Sequence, residues 1–247
     1  MLKSVLLALP FGLSAFAAAA SDLTQRDAAC DHIATVQYLD CEVAVIYSCP
    51  AVKGYSGRLM REEAYDDKGY DHFEVDTANG GLVVTGDAAG SFVIRSDPKT
   101  LVETTQAEVL KTGHGSFVAQ GWFTLLGVKK PAGQKISLTS TGETMTLSGH
   151  AMTILQADVA LDLPKPMGPT ISVSKAYLVP DLGLYLTGEE MSGTFYKADK
   201  TPHRPIAIFV PGQPGFETIK PSTCGGSLSL LEIPQYPGPK YPEGVPS

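Results

Sequence analysis

The chain has 247 residues and a formal net charge of −7, from 19 Lys and Arg against 26 Asp and Glu, and 43% of its residues are hydrophobic. It is apolar enough to build a sizeable core. The acidic balance, with no run of basic residues, argues against nucleic acid or an anionic bilayer surface as the main partner, because both reward clustered Lys and Arg.

In chain order, residues 1–20 read as a cleavable export signal. Lys3 precedes the apolar run Val5-Leu6-Leu7-Ala8-Leu9, and Ala18-Ala19-Ala20 places small residues before Ser21. The run is too short to span a bilayer. Removing it also removes Lys3, leaving 18 basic against 26 acidic residues, a mature charge near −8. The first cysteine is Cys30, well beyond Ala20, so no lipid-bearing cysteine stands at the cleavage point and no stable membrane anchor is expected. The expected location is periplasmic or secreted. Residues 21–233 read as a single β-rich domain and 234–247 as a Pro-rich flexible tail.

Asp22 to Cys30 could form a helix of two turns. Cys30, Cys41, Cys49 and Cys224 form an even set, which in an exported protein predicts two disulfides. Cys41 and Cys49 flank the strand-like run Glu42 to Ser48. If extended, that run separates their Cα atoms by roughly 26 Å, beyond disulfide reach. Two pairings remain: Cys30–Cys41 with Cys49–Cys224, or Cys30–Cys49 with Cys41–Cys224.

Further along, Arg58 to Tyr65 and Tyr70 to Asp76 flank Asp66-Asp67-Lys68-Gly69, and Leu82 to Thr85 and Phe92 to Arg95 flank Gly86 to Gly90. Both read as hairpins. Asp97 to Leu110 reads as a turn followed by a strand, because Val102, Thr104 and Thr105 prefer extended backbone. Phe117 to Leu126 is apolar at both parities and reads as a fully buried strand. Lys135 to Thr139 alternates apolar and polar, and Thr141-Gly142 is expected to turn the chain into Glu143 to Leu147. Met152 and Ile154 are apolar at even positions and Ala157, Val159, Leu161 and Leu163 at odd ones, which predicts a β-bulge near Leu155-Gln156. Ile171 to Val179 and Leu184 to Leu186 flank a turn at Pro180 to Gly183.

About ten to thirteen strands joined by short loops predict a mainly β fold. The expected form is an antiparallel meander in a strongly curved sheet, half-barrel or barrel, with few short helices.

The search for chemistry is sparse. His32, His72, His114, His150 and His203 are scattered, without the spacing of a zinc motif. His114 between Gly113 and Gly115 reads as a loop. Ser56 in Gly54-Tyr55-Ser56-Gly57 misses the nucleophile-turn pattern by one position. Glu62, Glu63, Asp66, Asp67 and Asp71 crowd one hairpin without a calcium-loop signature, and Glu189-Glu190 ends a strand. No enzyme, metal or cofactor is expected. Instead Phe117, Trp122, Phe123, Met145, Met152 and Met191 are candidates to line an apolar cavity.

The late hairpin Tyr177-Leu178-Val179-Pro180-Asp181-Leu182-Gly183-Leu184, in an exported chain of dense strands, resembles the periplasmic lipoprotein-carrier (lipoprotein-localisation factor) proteins. The resemblance implies a half-barrel whose apolar concave face holds acyl chains; no site residue carries over, and the four cysteines depart from it. The expected function is therefore binding or shielding of an apolar small molecule or acyl chain in a curved sheet. The alternative is a non-catalytic structural or interaction domain with a filled core.

Overall fold

The computed structural model describes residues 23–165, 167–194, 197 and 201–221. The export signal, Cys224 and the Pro-rich tail lie outside the described residues. Thirteen strands and one helix follow in the order β1 (Asp31–Tyr38), β2 (Val43–Cys49), β3 (Leu59–Asp66), β4 (Gly69–Thr77), β5 (Leu82–Asp87), β6 (Phe92–Ser96), β7 (Val102–Glu103), α1 (Gln106–Thr112), β8 (His114–Leu125), β9 (Val128–Leu147), β10 (His150–Asp162), β11 (Thr170–Val179), β12 (Leu184–Gly193) and β13 (Pro205–Phe209). All pair antiparallel in one sheet, ordered β12-β11-β10-β9-β8-β6-β5-β4-β3-β2-β1-β13, with β7 against β8.

The sheet curls into a nearly closed, barrel-like form. Its inner core joins Ala34, Val36 and Tyr38 of β1 and Ile46 of β2 to Met152 and Ile154 of β10, Tyr177 of β11, Leu186 of β12 and Ile208 of β13. Strands from opposite ends of the sheet thus share one apolar interior, although β12 and β13 are not paired with each other. A second cluster, with Phe117, Leu138, Leu155 and Leu178, lies under Val109 of α1. Among the described residues, no helix is long and apolar enough to cross a membrane.

Five local expectations are corrected. Thr141-Gly142 makes no hairpin: β9 runs unbroken from Val128 to Leu147, and the reversal falls at Ser148 and Gly149, both with positive φ. The bulge is real but sits on β9. Thr153 pairs with Thr144 and Leu155 with Ser140, so residues 141–143 stand against Ile154 alone and two residues are extra, with Gly142 at φ 78° and Thr141 Oγ1 donating to the Ile154 carbonyl at 3.0 Å. β10 itself pairs with β11 without interruption. Its parity change reflects a change of buried face, since Ile154 enters the inner core and Leu155 the cluster under α1.

The third correction is α1, where a strand was expected. Thr105 caps it, accepting from the Glu108 amide, and Gly113 ends it at φ 75°. One buried residue, Val109, holds it down, too little apolar periodicity to announce a helix. Fourth, residues 23–30 form turns rather than a helix, because their carbonyls serve another purpose: Arg61 donates to Leu23 O at 3.0 Å and Thr24 O at 3.4 Å. β8 is also only half-buried, with Phe117, Ala119 and Phe123 inside and Gln120 exposed.

Cys30 is disulfide-bonded to Cys49, one of the two pairings left open by sequence. It pins the end of the 23–30 segment to the end of β2 and indicates an oxidising, extracytoplasmic setting.

Candidate functional site

Cross-strand register assembles a single transverse row from residues distant in sequence. His32 of β1 lies opposite Tyr47 of β2, Tyr47 opposite Arg61, Arg61 opposite Val75, Val75 opposite Val84, Val84 opposite Arg95 and Arg95 opposite Trp122 of β8. Side chains alternate along each strand, so this row faces away from the inner core, which takes Met60 and Ile46 instead. Two valines at its centre, Val75 and Val84, are flanked on each side by an arginine and then an aromatic residue. Arg26 sits over the Tyr47 ring at 4.2 Å and Lys129 over Trp122 at 4.2 Å.

Above the row is a cavity of about 790 Å3, within the usual size of ligand pockets. Its apolar wall includes Leu23, the Cys30–Cys49 bridge, Val52, Tyr55, Leu59, Val75 and Trp122. The 23–30 segment and the 50–55 loop cover it; Tyr55 donates to Ser96 O at 2.9 Å, tying the loop to β6. Arg26, Lys53, Arg61 and Arg95 also line it, against a single acidic liner, Asp27. The fold thus gathers basic residues that the sequence scatters, which corrects the expectation of an acidic protein without a basic patch.

The four cations are not equivalent. Arg61 is 3% exposed and is neutralised by Glu63, whose Oε1 accepts from Nε at 2.9 Å. Arg26 reaches Glu63 Oε2 at 3.4 Å. This paired couple forms the floor, with Arg61 also stacked on Phe73 at 4.8 Å. Lys53 is exposed at the rim, and Arg95 enters from β6.

On the opposite face, β3 and β4 present a row of a different character. Glu62 lies directly opposite Glu74. Burial, then the Glu74 charge, pushes the Glu62 carboxyl up to about 7. Glu42, just before β2, is likewise raised by burial, and Asp76 is raised well above the carboxylate range by burial and Glu74. Ligand atoms of Glu42, Glu62 and His72 lie within 4.8 Å of one another. Alongside them His203 places Nε2 3.9 Å from Glu42 Oε1 and Nδ1 3.0 Å from Asp40 Oδ2.

The six residues expected to line an apolar cavity do not converge. Phe117 is packed in the cluster under α1, Phe123 in a separate cluster with Ala132 and Leu163, and Met152 in the inner core with Met145 at its edge. Met191 is 37% exposed on β12. Trp122 alone of the six lines the 790 Å3 cavity. Neighbours on a strand point to opposite faces, so Trp122 and Phe123 cannot share a wall.

His114 begins β8, with β6 and β5 between it and the carboxylate hairpin of β3 and β4; these groups are not brought together. Sequence reading missed Arg61, Arg95, Tyr55, Glu42 and His203 as site residues. Arg61 lies in a strand with four charged residues among eight and does not stand out in it; all of these depend on register. The chain matches no protein-family model, and neither a curated protein nor a solved structure gives a significant match. Function is therefore argued from these two faces alone.

Proposed function

We propose that this is an exported binding protein, periplasmic or secreted, whose ligand is an amphiphile with an apolar body and an anionic group, held in the cavity above the Arg61–Val75–Val84–Arg95–Trp122 row. The observation that carries this is charge contrast. A chain of net charge −7 places four cations and one carboxylate around an otherwise apolar cavity. An apolar body gains from leaving water against Val52, Leu59, Val75 and Trp122. An anionic group gains from the positive potential that Arg26, Lys53, Arg61 and Arg95 together give this wall. The acyl-binding expectation is kept, but moved from the interior of the curl to its other face.

Trp122 is the single tryptophan of the chain, so its fluorescence reports on this cavity. Titration of the mature, disulfide-intact protein with dodecyl phosphate is expected to give a saturable change. Arg95→Gln should weaken it by about tenfold, the loss of one of the four cations of the wall. Dodecyl maltoside, with the same chain and no charge, should bind as weakly to the wild type as dodecyl phosphate does to the variant. Equal response to both amphiphiles would refute the anionic part of the reading. The filled inner core favours a second reading, a structural or interaction domain; no response to either amphiphile would favour that one.

A further inference from the structure

A second site lies on the inner face, independent of the cavity. Glu42, Glu62 and His72 come from the β1–β2 turn, β3 and β4 and bring one ligand atom each within 4.8 Å of the others. His72 Nδ1 lies 3.1 Å from Asp71 Oδ2 and His203 Nδ1 lies 3.0 Å from Asp40 Oδ2. In both, the carboxylate fixes the ring and leaves Nε2 as the donor, and for His203 that nitrogen faces Glu42. A carboxylate behind the distal nitrogen is the usual support of a metal-ligating imidazole.

A separate observation points the same way. Tyr38 is 0% exposed, yet its hydroxyl has no hydrogen-bond partner among the described residues. Its ring is stacked on His203 at 4.0 Å between centroids, beside this cluster, and Glu62, Glu42 and Asp40 are the charges that act on it most strongly. A buried hydroxyl left unpaired is destabilising. So is a pair of carboxylates facing each other across two strands, as Glu62 and Glu74 do. A cation among them, with a bound water reaching Tyr38, relieves both.

We propose that Glu42, Glu62 and His72 form a binding site for a divalent transition metal ion, with zinc the best match to one imidazole and two carboxylates completed by a water, and with His203 beside Glu42 at its edge. Such ligands bind zinc at about 2.0–2.2 Å in a tetrahedron, and manganese suits the carboxylates with added waters. The ion joins β3 and β4 to the turn that leads into β2. Its role is structural.

The test uses the mature, disulfide-intact protein stripped with EDTA and then given zinc sulfate or manganese chloride. One equivalent of ion should bind, and the thermal midpoint should rise by about 5–10 °C at a hundredfold excess over Kd. Glu62→Gln removes the buried charge without changing shape; it should fold with a midpoint at or above that of the stripped wild type and lose the zinc-dependent rise. Glu42→Gln should lose the rise as well, while His114→Ala, remote on β8, should keep it. Cobalt substitution should give the visible bands of a nitrogen and oxygen tetrahedron. Absence of any stoichiometric ion, or a rise that survives in both glutamine variants, would overturn the site.

Discussion

Gly121 shows how tightly single residues hold the row above which the cavity lies. A Cβ there would fall 2.0 Å from the Arg95 carbonyl and 2.8 Å from Ser96 Cα, backbone atoms that cannot swing aside. Gly121→Ala must push β8 and β6 apart, and is expected to cost at least about 2 kcal/mol, measured by urea unfolding. Because the displaced strand carries Arg95, affinity for dodecyl phosphate should fall with stability. An unchanged midpoint would mean that the two strands are not held as closely as this pairing requires.

Glu62 sets the pH response of the protein stripped of metal. Its folded value is about 7 against an ordinary 4.5, so between those limits the folded state holds a proton that the unfolded chain releases, and stability declines as pH rises. His72 and His203, both raised by carboxylate neighbours against the pull of burial, act in the same direction above about pH 6.5. His32, lowered by burial, opposes Glu62 below about pH 6.5. Glu189 and Asp87 are lowered and act below this window. The thermal midpoint in EDTA is expected to be lower at pH 8 than at pH 5, and Glu62→Gln should shrink the difference. A midpoint that is flat or rising over that interval would contradict the assignment.

At the scale of elements, the 23–30 segment matters more than its lack of regular structure suggests. It lends two carbonyls to Arg61 and one wall to the cavity, and the Cys30–Cys49 bridge, spanning 19 positions, anchors it. Replacing both cysteines by alanine is expected to lower stability by about 3 kcal/mol through the loop entropy released. Dodecyl phosphate affinity should fall too, since the wall becomes free to leave. Retained affinity in a destabilised variant would place the ligand against the sheet alone. α1 shows the opposite economy: caps at Thr105 and Gly113 and one apolar anchor, Val109, suffice for seven residues packed on β8.

At the scale of the whole molecule, the strands were legible wherever one face is buried and the other wet, as in Lys135 to Thr139, because alternation is a local property. The turns at Asp67-Lys68 and Pro180 to Gly183 were legible from their own chemistry. Thr141-Gly142 misled because a glycine at positive φ serves a bulge as well as a turn. The cavity was not legible: Arg61, Arg95 and Trp122 become neighbours only through register across β3, β4, β5, β6 and β8, and no single strand encodes that. The Glu42, Glu62 and His72 cluster was hidden in the same way, with Glu62 and His72 on one visible hairpin but Glu42 in the turn that leads into the preceding strand. Composition misled too, since net negative charge says nothing about where the few cations gather.

The central claim is that the face bearing Arg61, Arg95 and Trp122 holds one anionic amphiphile. The most direct measurement is the native mass of the mature protein, disulfides intact, after incubation with equimolar dodecyl phosphate. A mass increase of one amphiphile per chain is expected, reduced to a similar extent by Arg95→Gln and by replacing dodecyl phosphate with dodecyl maltoside. A bare protein mass in the wild type, or an adduct indifferent to Arg95, would contradict the claim.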